Sequence, residues 1–233
     1  MLIIAHRCGT DRYPEQTIAA ARHSLQCGAD FVEVDIRFTA DHKPVVIHDP
    51  TPESLYGVST PVCRLTQTEF LALRRVSDPS VCGHSFPDYL RCGIDRMLFH
   101  CKEGGEQLLE VVQLCEAYGI LSKVVFGLQQ TEDVRIIKNY DPSIKVLAFM
   151  KEAEQIESFA QAGADFIRLW DNWVTPELLS RVNATGKKLW IMAKRPVVGE
   201  IDDKEKAYAD YAAWGAHGVL LNEVEPAVAH FGK

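Results

Sequence analysis

This chain of 233 residues is predicted to fold as a single-domain (β/α)8 barrel, on three observations. A phrase in which a helical stretch ends in Gly and an apolar strand follows recurs along the chain. Cys27-Gly28-Ala29-Asp30-Phe31-Val32, Ala162-Gly163-Ala164-Asp165-Phe166-Ile167 and Trp214-Gly215-Ala216-His217-Gly218-Val219 are three versions of it, and Gly93, Gly119 and Gly186 mark three more. Gly at this place closes a helix in the left-handed region before the chain turns into a strand. The strands themselves are short runs of Val, Ile, Leu and Phe with little alternation, as buried parallel strands read. Amphipathic helical stretches lie between them, and this repeated alternation favours a closed barrel over an open doubly wound sheet.

In order, strands are expected at about 2–5, 31–36, 97–101, 123–127, 145–149, 166–170, 188–193 and 218–222. Helices are expected at about 16–27, 106–118, 131–140, 152–162, 175–185, 203–214 and 224–231. Thr131 with Glu132 and Asp133, and Thr175-Pro176-Glu177, carry the chemistry of helix starts. The interval 37–96 breaks the rhythm. The turn Asp41-His42-Lys43-Pro44 and the run Pro44-Val45-Val46-Ile47-His48 make residues 33–48 a hairpin-like extension of strand two. Thr66 to Arg75 reads as a helix, with Thr66 and Glu69 at capping-box spacing. Residues 49–65 and 77–90 hold five of the eleven prolines and read as irregular loop. The whole, about 49–92, is taken as an insertion into a single domain of residues 1–233.

Composition narrows the function. The net charge is −7, and the basic residues form no stripe, so the electrostatic footprint of a nucleic-acid binder is missing. The N-terminal apolar run is too short for a signal-peptide core, and no run reaches the ~18 residues a membrane span needs. The seven cysteines, with no CxxC spacing, read as reduced thiols. A cytoplasmic protein without a membrane span is expected, and nothing in the sequence sets an oligomeric state.

In such a barrel the active site forms at the C-terminal ends of the strands. There the chain places His6 and Arg7 after strand one, Glu33 and Asp35 in strand two, His48 after the hairpin, His100 and Lys102 after strand three, and Lys194 after strand seven. Residues i and i+2 of a strand share a face, so Glu33 with Asp35, and His100 with Lys102, form same-facing pairs. Adjacent carboxylates repel unless a cation lies between them, which makes Glu33 and Asp35 a candidate hard-cation site. Taken alone, Glu-Val-Asp reads first as the polar face of an edge strand and His48 as a structural histidine, while Lys102 reads equally as a solvated loop residue. The barrel rhythm is what turns them inward together.

His6-Arg7, Pro14-Glu15-Gln16-Thr17, Glu33-Val34-Asp35, Thr39-x-Asp41 and Val45-Val46-x-His48-Asp49, followed by a basic residue after strand three, resemble the glycerophosphodiester phosphodiesterase family. That resemblance implies a metal-dependent phosphodiesterase on a TIM barrel. It implies His6 and His48 as general acid and base, Arg7 and Lys102 on the phosphate, and Glu33 and Asp35 on a divalent cation, Mg2+ or Ca2+. Phosphodiester cleavage needs such parts: a base for the attacking oxygen, an acid for the departing alkoxide, and positive charge on the non-bridging oxygens.

The departures are specific. Where the family ends strand three in Glu-x-Lys, this chain has His100-Cys101-Lys102, and imidazole favours Mn2+, Zn2+ or Fe2+ over Mg2+ and Ca2+. Glu15 is a candidate to compensate for the lost carboxylate. Cys8 is inserted into the family's His-Arg-Gly, Gln16 replaces its Asn, Trp190-Ile191-Met192-Ala193 replaces Trp-Thr-Val-Asn, and Asn222 stands where an aspartate is common. Lys194 and Trp170 are left as candidates for the alcohol side of a small glycerophosphodiester-like substrate. Two rivals stand beside this reading: a catalytically impaired, ligand-binding barrel, and an aldolase using Lys102 or Lys194 as a Schiff-base nucleophile.

Overall fold

The computed structural model describes residues 1–193 and 201–232. Its strands are β1 (Leu2–Ala5), β2 (Phe31–Phe38), β3 (Pro44–Val46), β4 (His84–Ser85), β5 (Met97–Cys101), β6 (Val125–Leu128), β7 (Lys145–Ala148), β8 (Phe166–Trp170), β9 (Lys188–Met192) and β10 (Gly218–Leu221). β1, β2 and β5 to β10 pair in parallel, and β1 bonds to both β10 and β2, so these eight close into the expected barrel. The helices outside it are α1 (Ile18–Cys27), α2 (Glu53–Tyr56), α3 (Gln67–Ala72), α4 (Phe86–Arg91), α5 (Leu108–Ala117), α6 (Thr131–Tyr140), α7 (Ile156–Ala162), α8 (Pro176–Ala184), α9 (Ile201–Ala213) and α10 (Glu225–Phe231).

The repeated junction works as its sequence implies. All six of its glycines have positive φ, with Gly28 at 111° and Gly163 at 109° ending α1 and α7. The aspartates that follow two of them tie off the floor of the barrel. Asp30 accepts the Ile3 amide at 2.7 Å, and Asp165 accepts the Val146 amide at 2.9 Å, each from the neighbouring strand. Thr17 and Thr175 cap α1 and α8 as acceptors for Ala20 N–H and Leu178 N–H, contacts worth about 1 kcal/mol each. α6 spans Thr131–Tyr140, the range expected from the sequence. Gln130 is the cap residue, and Thr131, inside the helix, turns its hydroxyl to Glu132.

Alternation along the strands sorts the core into two shells. Residues such as Val34, Phe99, Phe126, Ile167 and Ile191 face the helices. Ile4, Leu98, Val125, Leu147, Trp190 and Leu220 fill the barrel interior, with Trp190 fully buried. Gly218 leaves room for that indole, since a Cβ there would meet it at 3.1 Å. A packed interior of this kind keeps water and chemistry at the upper rim.

Between β2 and β5 the chain builds a small satellite. β2 and β3 form an antiparallel hairpin, and β4 pairs with β3. Val45, Ile47, Tyr56, Val62 and Phe70 bury one another beneath it. The capping box of Thr66 and Glu69 forms, but the helix it starts ends at Ala72 rather than Arg75. The stretch 77–90 is not wholly irregular: Ser85 and Asp88 make a second capping box, with Pro87 in the first turn, and open α4. Buried Arg75 donates from Nη2 to the Glu15 carbonyl at 2.9 Å, fixing this satellite against the loop after β1. Arg37 on β2 donates to the His48 carbonyl at 2.9 Å and pairs with Glu103 after β5. The satellite therefore delivers His48 to the rim on a braced loop.

Candidate active site

The rim holds a cleft of about 440 Å3 lined by His6, Arg7, His48, His100, Arg168, Trp170 and Asn222, among others. His6 follows β1 directly. Its Nδ1 lies 2.6 Å from Asn222 Oδ1, so with an oxygen acceptor there the proton sits on Nδ1, leaving Nε2 for the cleft. His48 has the same arrangement with a stronger acceptor. Its Nδ1 is 2.8 Å from Asp49 Oδ1, and the Ser54 hydroxyl donates to the other Asp49 oxygen at 2.8 Å. Burial pulls the His48 imidazole below its ordinary range. Asp35 and Asp49 oppose that shift, and the Lys102 and Arg7 cations reinforce it. Asp49 is held below the usual carboxylate range by its contact with His48.

Arg7 and Cys8 occupy the left-handed region, with φ of 51° and 71°, ahead of Gly9 at 86°. Such non-glycine residues cost of order 1 kcal/mol each and cluster where function demands a shape. The turn has a visible use. It aims the Arg7 amide at Glu33 Oε2, 2.7 Å away, and brings Arg7 Nη1 to 3.2 Å from both Glu15 oxygens. Glu15 is thereby committed to Arg7, and the expectation that it replaces the lost metal carboxylate is not met: the candidate metal group here comprises Glu33, Asp35 and His100.

Glu33 and Asp35 are fully buried on the inner face of β2, and β5 pairs beside it with Asp35 opposite His100. His100 Nδ1 lies 3.1 Å from Asp35 Oδ1 and 3.4 Å from Glu33 Oε1. Lys102 Nζ reaches the same place, 2.8 Å from Asp35 Oδ1 and 2.9 Å from His100 Nδ1. Burial by itself would raise the Asp35 carboxyl. The His100 imidazole and the Lys102 ammonium outweigh it and hold Asp35 far below the usual range. Gln16, in place of the family's Asn, donates to Asp35 Oδ2 and accepts its amide at 3.4 Å.

Glu33 Oε1 and Asp35 Oδ1 receive no well-directed hydrogen bond among the described residues. Two buried carboxylate oxygens and an imidazole nitrogen converging in this way fit a divalent cation. His100 is itself held on two sides. Gln129 Nε2 is 2.9 Å from its Nε2, and the Phe149 ring stacks on it at 3.9 Å between centroids and 22°. Gly127 makes that stack possible, since a Cβ there would lie 2.6 Å from the Phe149 ring.

Most residues singled out in the sequence thus meet at one rim. Trp170 ends β8 in the cleft wall, with the Arg168 guanidinium 4.7 Å from its ring centre. Lys194 lies outside the described residues. Sequence reasoning overlooked Gln129, Phe149 and Arg168. Arg168 had a readable cue, a lone charge sharing the inward face of β8 with Phe166 and Trp170. No helix among the described residues is long and apolar enough to cross a membrane.

Comparison with known proteins gives this geometry a context. Glycerophosphodiester phosphodiesterase 1 of Rattus norvegicus is 39% identical over 85 residues, 36% of this chain and 25% of that protein. A glycerophosphodiester phosphodiesterase of Caldanaerobacter subterraneus is 48% identical over 50 residues, 22% of this chain and 21% of that one. The chain thus matches only about a quarter of the length of these curated relatives. The fold similarity is far more extensive. The crystal structure of a glycerophosphodiester phosphodiesterase from Agrobacterium tumefaciens superposes with a TM-score of 0.78 at 20% identity, covering 98% of this chain and 99% of that one. An Oleispira antarctica phosphodiesterase, solved with the product sn-glycerol-3-phosphate, superposes with a TM-score of 0.81 at 15% identity, covering 100% and 97%. Residues 6–224 match the sequence profile of the glycerophosphoryl diester phosphodiesterase family, and the chain belongs to that family.

Proposed function

We propose that this protein is a cation-dependent phosphodiesterase that hydrolyses a glycerophosphodiester, or a similar small phosphodiester, to a sugar or glycerol phosphate and an alcohol. The observation that carries the reading is the pair of imidazoles on one cleft, each with Nδ1 bound to a fixed acceptor and Nε2 left for substrate. His48 is the base. It rests neutral, and Asp49 behind it stabilises the imidazolium formed when it takes the proton of the attacking hydroxyl. His6 is the acid: as an imidazolium, with its Nδ1–H on Asn222, it gives its Nε2 proton to the departing alkoxide. Arg7 and Lys102 bind the non-bridging oxygens.

Glu33, Asp35 and His100 would hold the cation, which supplies charge neutralisation on the phosphoryl oxygens. Family resemblance favours Mg2+ or Ca2+, and the imidazole admits Mn2+ or Zn2+. Residues 1–233 act as one barrel domain, with the insertion at about 49–92 carrying His48. Seven free thiols fit a reducing cytoplasm. A glycerol phosphate product would belong to lipid and glycerol metabolism. A non-catalytic binding barrel would leave the two oriented imidazoles without a purpose.

The test is hydrolysis of a panel of glycerophosphodiesters with each of Mg2+, Ca2+, Mn2+ and Zn2+, comparing wild type with His6→Ala. Turnover with at least one cation, falling by about 10²-fold or more in the variant, is expected. No turnover with any cation would overturn the reading.

A further inference from the structure

Arg168 is a cation buried in the wall of the cleft, with no anion paired to it among the described residues. It lies on β8, only 3% exposed, across the barrel from the carboxylates of β2: β5, β6 and β7 separate the two strands on one side, β1, β10 and β9 on the other. Its Nη2 donates to the Met150 carbonyl at 2.7 Å. Nε and Nη1 have no acceptor among the described residues. The rings of Phe149, Trp170 and Trp173 surround the guanidinium at 5.1, 4.7 and 5.6 Å. These rings shield the cation from water, and Nε and Nη1 are left as buried donors without a partner in a residue that lines the cleft.

Burying a charge without a counter-ion is unfavourable, and π-systems offset only part of that cost. Burial draws Arg168 down to about 10, so it is still a full cation at neutral pH. A fixed, desolvated guanidinium on an aromatic wall is the chemistry that selects an oxyanion by charge-assisted hydrogen bonds.

We propose that Arg168 is a second anion receptor in the cleft, so that the preferred substrate carries a carboxylate or phosphate group in addition to its phosphodiester. This rests on the phosphodiesterase reading above and narrows its substrate class. The second anion belongs to whichever alcohol part of the substrate extends across the barrel from the phosphorus.

Two pairs of compounds, each differing by one carboxylate, separate the two sides. Glycerol 3-phosphate and 3-phosphoglycerate report on the glycerol side, by calorimetric binding in the presence of Mn2+. The ethanolamine and serine glycerophosphodiesters report on the other alcohol, by kcat/KM. Wild type is expected to favour the carboxylate-bearing member of one pair by roughly tenfold, the factor that a charge-assisted hydrogen bond supplies. In Arg168→Gln that ratio falls to about one, whereas Arg168→Lys, which keeps a cation, retains part of it. Circular dichroism and thermal unfolding verify that both variants are folded, and the wild-type ratio needs no variant.

The proposal is overturned if wild type favours the carboxylate in neither pair, or if the preference survives in Arg168→Gln. Turnover without an Arg168-dependent preference removes the receptor and leaves the phosphodiesterase. An Arg168-dependent binding preference without any turnover removes the phosphodiesterase and leaves the receptor.

Discussion

Replacing Asp35 with Asn deletes the carboxylate that His100 and Lys102 share, and its consequence for cation binding can be worked from the distances. Lys102 Nζ stands 2.8 Å from Asp35 Oδ1, a gross attraction of about 6 kcal/mol at an effective dielectric constant near 20. A divalent cation at a similar separation gains about twice that, so it displaces the ammonium provided the extra dehydration costs less than about 6 kcal/mol. In Asp35→Asn the attraction is gone, while the Lys102 charge stays beside the site and repels the incoming ion. Mn2+ at one hundred times its Kd should stabilise wild type by about 2.7 kcal/mol. For a chain of this size that is a rise in Tm of about 5–11 °C. Asp35→Asn should show a rise below about 2 °C under the same conditions, measured by calorimetry with the cation titrated in. Mn2+ is preferred to Zn2+ because the seven cysteines would bind Zn2+ in the unfolded chain. An equal shift in both proteins, or no wild-type shift with any of Mg2+, Ca2+ and Mn2+, would refute the assignment of this group as a cation site.

Two further outcomes follow from the titrating groups. Since burial lowers the His48 imidazole and only its neutral form can act as base, activity should persist above a limb lying below the ordinary histidine range near pH 6.5, and vanish as pH falls through it. Asp49→Asn should move that limb lower still, and a wild-type limb at pH 7 or above in kcat/KM would contradict the role. At the barrel floor, burial raises the Asp165 carboxyl, but Lys138, the Val146 amide and Lys145 outweigh it and hold it below its ordinary value. Its contribution is therefore present above the unfolded pKa and lost as pH falls through the folded one. Asp165→Asn should cost about 1–3 kcal/mol in urea unfolding at pH 7, with the gap closing towards pH 2; a gap that widens on acidification would be the wrong sign.

The barrel was readable because its punctuation is local. A glycine that must adopt positive φ and an apolar run of strand length are both visible within a few residues, and the Ala-Asp after Gly28 and Gly163 even encodes the acceptor for an amide of the preceding strand. Helix α4 carried equally local marks, Ser85, Pro87 and Asp88, but the density of prolines around them read as loop. The site was legible where its residues sit in motifs on β1, β2 and β5. Asn222 and Gln129 look like ordinary polar residues after strands, and they acquire partners only when closure brings β10 beside β1 and β6 beside β5. The left-handed turn at Arg7 and Cys8 has no sequence mark, because neither residue favours it.

The glycine at position 127 bears on what surrounds the imidazole of His100. With no Cβ on β6, Phe149 of the next segment lies flat against His100, and the same ring lines the approach to Arg168. The imidazole is thus one panel of an aromatic partition reaching from β5 to the segment after β7. Reinstating glutamate at position 100 would set a carboxylate against the face of a phenyl ring, whose negative quadrupole repels it. An engineer wishing to restore the family's all-carboxylate site would have to redesign the partition, beginning with Phe149, before the acid could serve the metal.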